Sequence, residues 1–168
     1  MIALKITNLK KFMSQLLIGE CFDSFWLSEA SITTGNTYII EGTLHPEFFS
    51  EEAQEVLERC HRTHSLWKEM KPFCYSIIRG KQTPLQFKFV FRLSYEKVRH
   101  AVDKSGISLE PDHINGLFLN IQYSAGQLSC TTGTSMSAFS LDKSLDQMWD
   151  RMVLHFFQEN DIDYEESF

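Results

Sequence analysis

The chain reads as an α+β fold: a mainly antiparallel sheet with helices packed against it. Three observations lead there. From Gln86 to Leu93 the residues alternate, with Phe87, Phe89 and Phe91 on one face and Lys88 and Arg92 on the other, as a half-buried strand requires. Leu9, Phe12, Met13, Leu16 and Leu17 recur at the spacing of one helical face. The order strand, capped helix, hairpin, capped helix is then given twice. Thr7 to Gly19 spans as many positions as Ser94 to Gly106, and Gly35 to Ser50 as many as Ala125 to Ser140. This predicts one domain over residues 1–158, pseudo-duplicated in halves of about 1–70 and 85–158.

The first strand is Ile2 to Ile6, followed by a helix capped by Thr7 and ended by a left-handed Gly19. Phe25 to Thr34 and Thr37 to Leu44 form a hairpin through Gly35-Asn36. That register sets Ile32 opposite Ile39 and puts Trp26 on the face of Ala30. Ser50 caps a second helix with Glu51 and Glu52 in its first turn and Ala53, Val56, Leu57, Cys60, His64 and Trp67 on its stripe. Pro72 closes it, and Phe73 to Ile78 is expected as a strand. Ser94 caps a helix with Tyr95, Val98, Ala101 and Val102 inward, ended by Gly106. Leu117 to Tyr123 and Leu128 to Thr134 form a hairpin through Ala125-Gly126, which sets Cys130 opposite Ile121. The last helix runs from about Leu141 to Phe157, with Leu145, Met148, Trp149, Met152 and Phe156 inward. The acidic segment 159–168 lacks periodicity and is expected to be disordered.

Composition narrows the function classes. Of 168 residues, 43% are hydrophobic and 14 are Phe, enough for an aromatic-rich core. The formal net charge of -6 argues against indiscriminate phosphate binding by the whole surface. The four cysteines form no C-x-x-C pair and read as reduced thiols of a cytoplasmic protein. Leu16 to Cys21 resembles a lipoprotein cleavage box, but Glu20 separates Gly19 from Cys21, and Lys10 and Lys11 stand where the apolar core should begin. No apolar run is long enough to span a membrane.

Several residues invite a chemical reading. Cys60 and His64 stand four apart, a spacing that suits two ligands of one ion, with Cys74 as a third; two core residues on a buried stripe explain the same spacing. Cys130 lies in the hydroxyl-rich run Ser129 to Ser135, but its place on the apolar face of the hairpin makes it inert. His45, His100, His113 and His155 are scattered without a partner that sequence can assign. No nucleophile elbow or phosphate loop is present, and no motif implies a cofactor. The helix after Thr7 carries Lys10 and Lys11 without an acid, and the helix after Ser94 carries Lys97, Arg99, His100 and Lys104 against Glu96 and Asp103. Two matched basic helices in an acidic protein could face a polyanion such as nucleic acid; a solvated helix face is the plainer alternative.

The opening Met1 to Thr7, then Leu9 to Met13 and Glu29 to Thr34, resembles a family of short uncharacterised proteins of anaerobic Gram-positive bacteria. That resemblance implies a bacterial, cytoplasmic setting and transfers no site residues. The run Phe89 to Leu141 is also similar in layout to half a domain of the DNA sliding clamps, which are acidic rings lined by basic helices. Here each copy carries an extra helix, the chain holds one such domain, and it closes on a helix and an acidic tail.

The functional expectation is a non-catalytic binding or interaction module whose partner is protein or nucleic acid. Its proposed polyanion surface is Lys10, Lys11, Lys97, Arg99 and Lys104. The alternatives are a metalloprotein or enzyme centred on Cys60, His64 and Cys74, or a small-molecule binder with an aromatic pocket.

Overall fold

A computed structural model of the chain describes residues 1–167. Among the described residues, five α-helices and a seven-stranded antiparallel sheet form an α+β fold. The strands are β1 (Ala3–Ile6), β2 (Trp26–Thr33), β3 (Thr37–Glu41), β4 (Gln86–Arg92), β5 (Ile114–Ser124), β6 (Gln127–Met136) and β7 (Tyr164–Ser167), in the order β3-β2-β4-β5-β6-β1-β7. The helices are α1 (Leu9–Leu17), α2 (Glu51–Arg59), α3 (Trp67–Ile78), α4 (Tyr95–Ser105) and α5 (Ser144–Glu159).

Alternation divides the sheet into two unlike faces. On one, Leu27, Ala30 and Ile32 meet Phe87, Phe89 and Phe91, which meet Leu119, Ile121 and Tyr123. Leu128, Cys130, Leu4 and Ile6 extend this face, and it is buried under α1, α3, α4 and α5. On the other, cross-strand pairing aligns Ile39, Ser31, Lys88, Gln122, Ser129 and Lys5 in a row that is mostly polar. The Phe row is therefore core: Phe89 and Phe91 pack against Trp67, whose indole N–H donates to the Leu16 carbonyl at 2.9 Å.

Both basic helices form where the sequence places them. Ser94 caps α4 by accepting from the Lys97 N–H, and Gly106 ends it in the left-handed region at φ 71°. For α1 the cap is Asn8, which accepts from the Lys11 N–H at 3.2 Å, not Thr7. Gly19 is not left-handed; its N–H donates to the Ser14 carbonyl, and a Cβ there would press on Gln15. The second hairpin has the expected register, Ile121 opposite Cys130, through Ala125 and Gly126, both at positive φ.

The first hairpin departs by one residue. Thr33 pairs with Thr37 across a three-residue loop, so Ile32 faces Tyr38, and Ile39 falls opposite Ser31 on the open face. A bulge between Leu27 and Glu29 then flips the start of β2. Leu27 joins the core row, while Trp26 turns to the other face, beside Arg92 and stacked on His64. Gly42 makes room for the bulge, since a Cβ there would collide with the Leu27 carbonyl oxygen.

The long second helix expected from Ser50 is two helices. α2 ends at Arg59 and buries no residue; α3 begins at Trp67 and continues through Pro72 to Ile78, where a strand was expected. Trp67, Met70, Cys74 and Ile77 repeat at helical spacing against the core, and that burial outweighs the hydrogen bond that proline removes. The last helix starts at Ser144 rather than Leu141, and Ser140 instead accepts from the Asp142 N–H. The segment expected to be disordered is ordered over 159–167: β7 pairs with β1, Ile162 is buried, and the Thr7 N–H donates to the Asp163 carbonyl. An edge strand needs only backbone partners, so its polar composition carries no periodic signal. Phe168, part of that expectation, lies outside the described residues.

The two spacing-matched units share one sheet but occupy unlike places in it. β4 pairs with β5 of its own unit, whereas β1 pairs with β6 and β7.

Candidate functional site

α5 is held to the sheet by polar contacts that the sequence shows only as a run of hydroxyls. Thr132 and Thr134 of β6 donate to Asp150 and Asp146, and the Trp149 indole N–H donates to the Phe118 carbonyl at 2.8 Å. The Thr134 hydrogen bond, first among its causes, lowers the Asp146 pKa. Anchored this way, α5 lies alongside α4 and leaves a groove of about 690 Å³ between them.

The groove has an apolar floor and a cationic rim. Phe25, Leu93, Ala101, Met148, Met152 and Phe156 line its floor. Lys97, His100 and Lys104 come from α4, Arg151 and His155 from α5, and Glu159 is the one acid among its lining residues. The α4 trio follows from local geometry, because residues three and seven apart share a helical face. Lys97 Nζ donates to Ser24 Oγ at 2.7 Å, and partial burial lowers its pKa. His155 Nε2 sits 3.0 Å from Glu159 Oε1. In a chain with net charge -6 the rim is a local reversal of sign, and its neighbouring apolar wall strengthens the field that an anion would meet.

Of the five cations read from the sequence, the groove gathers Lys97 and Lys104. Lys10 and Lys11 lie on α1, where Lys11 reaches Asp163 at 3.3 Å. Arg99 leaves the groove to lie over the Tyr95 ring at 5.8 Å. Sequence reasoning missed Arg151 and His155 because they stand among the acids of α5; their spacing of four was the available signal.

The metal candidates are not on one helical face. Cys60 is exposed at the end of α2, His64 is half-buried and bridges to Thr43, and Cys74 is buried in α3. Among the described residues no group of three His, Cys, Asp or Glu side chains is placed to hold a metal ion. Burial pushes the Cys74 thiol up to about 12 and raises Cys130 further, so neither supplies a thiolate near neutral pH. Desolvation, followed by the Arg92 charge, pushes His64 down to about 4.

On the open face, Glu29, Glu41, Thr43, His64 and Lys88 border a shallow polar depression. Its charges are mixed, and it has little apolar wall to seat a ligand. Among the described residues no helix is long and apolar enough to cross a membrane.

A family model described as a family of unknown function (DUF5721) matches residues 15–165. The chain belongs to that family. The match runs from the last residues of α1 to the start of β7 and so covers the groove and both helices that form it. No curated protein and no solved structure matches the chain.

Proposed function

We propose that this protein is a non-catalytic binding module whose α4–α5 groove receives an organic anion with an apolar body. One observation carries this: an apolar floor edged by Lys97, Lys104 and Arg151, with His100 and His155 beside them and Glu159 alone opposing them. The floor supplies burial at roughly 25 cal/mol per Å² of apolar surface. The rim supplies charge-assisted hydrogen bonds to a carboxylate, sulfonate or phosphate. The setting is a bacterial cytoplasm, supported by the resemblance of the opening residues and by four cysteines that are all free.

The test uses 2-naphthoate and its cationic counterpart 2-naphthylmethylamine, titrated into labelled protein and followed by amide chemical shifts. Naphthoate should perturb amides of α4 and α5, and the amine should not. Charge reversal at Lys104 and Arg151 should weaken naphthoate on the order of tenfold. Equal response to both probes would show simple apolar uptake and remove the anion reading. A single-stranded oligonucleotide that shifts amides around Lys10 and Lys11, with steep salt dependence, would replace it with the polyanion surface.

A further inference from the structure

The sheet has two edges, and they are guarded differently. β7 exposes Glu165 and Glu166, so a second strand with like composition would be repelled there. β3, Thr37-Tyr38-Ile39-Ile40-Glu41, has no Lys, no Pro and no bulge. It pairs with β2 on one side and is terminal in the sheet on the other. Ile39 is 65% exposed and Tyr38 41%. Unprotected edges with bulky apolar side chains are templates for strand addition.

We infer that β3 is a self-association surface and that its occupant is β3 of a second copy, paired antiparallel about a two-fold axis at Ile39. The strand is self-complementary in this register. Thr37 meets Glu41 of the partner subunit, Tyr38 meets Ile40 of the partner subunit, and Ile39 meets Ile39 of the partner subunit. Each carboxylate therefore faces a hydroxyl at an opposite end of the pairing, and no like charges stand across from one another. All five residues of the strand find partners, and the two Ile39 side chains cover each other on the mostly polar open face. A two-fold contact closes, so the product is a dimer with one continuous sheet rather than a filament. A single short strand buries little area, which places the dimer among weak, reversible associations. This surface is independent of the α4–α5 groove: β3 and the groove residues have no member in common.

Sedimentation velocity on the full chain from about 5 to about 500 µM tests this. The expected result is a monomer–dimer equilibrium whose dimer fraction rises with concentration and stops at two copies. Ile39→Lys should weaken dimerisation at least about tenfold, with circular dichroism and melting temperature of the dilute monomer unchanged, since Ile39 is not in the core. Slowed exchange of β3 amides at high concentration in the native chain, lost in Ile39→Lys, should accompany it. A monomer at every concentration, a dimer that Ile39→Lys leaves intact, or a series growing past the dimer through β7 would each overturn the proposal.

Discussion

His64 shows how an ionisable side chain becomes structural. Its ring stacks on Trp26 at 6.1 Å, its Nδ1 is 2.7 Å from the Thr63 hydroxyl, and burial with Arg92 nearby holds its pKa at about 4. The unfolded chain takes up that proton near pH 6.5, the usual histidine value. Between about 6.5 and about 4 the unfolded state therefore binds more protons, and stability falls as the pH falls. The contribution of His64 is fully present above pH 6.5 and lost by about pH 4. Denaturant midpoints across this window should decline on acidification, and His64→Gln should flatten the decline. A His64 resonance titrating near its ordinary value would contradict the packing. Gly42 makes a sharper case. Its Cβ position is already filled by the Leu27 carbonyl, so Gly42→Ala must undo the bulge or push β3 aside. The expected loss is about 2 kcal/mol or more by urea denaturation; a neutral result would mean that the bulge yields freely.

The elements that sequence located well are those whose signals are local. Ser94, Val98, Ala101, Val102 and Gly106 specify α4 without reference to the rest of the chain. The turn Ala125-Gly126 likewise specifies the β5–β6 register. The stretch from Ser50 to Ile78 misled because Cys60 and His64 happen to continue the spacing of α2, while the chain leaves the helix at Cys60 and passes through the bridge at His64 before α3 begins. Pro72 reads as a stop, yet the Trp67–Cys74 stripe carries the helix past it. β7 was invisible for the opposite reason: it is held by backbone pairing with β1, by the buried Ile162 before it and by Tyr164 against Phe157, two apolar side chains scattered among acids. Ile162→Ala tests that docking. A disordered tail would tolerate it, whereas removal of this buried side chain should cost about 2–4 kcal/mol, read as a lowered melting temperature.

Among the described residues, one sheet and one core cluster take in residues of both spacing-matched units. The net charge of -6 is unevenly spread: acids dominate α2 and β7, while cations gather around the α4–α5 groove. Half of that candidate site was legible, since Lys97 and Lys104 stood out on a basic helix. Arg151 and His155 complete it from a helix some fifty residues away, and nothing in either segment alone shows that the two face each other. Fold class, the buried faces of α1 and α4, the caps Ser50, Ser94 and Gly106 and the second hairpin follow from the sequence because periodicity and turn chemistry act over a few residues. The sheet order, the reversal of Trp26, the docking of β7 and the placing of α4 and α5 around one groove rest on contacts between distant segments. Those contacts are chosen by whole-core packing and by the need of every strand for a hydrogen-bonded neighbour, and neither condition leaves a local mark.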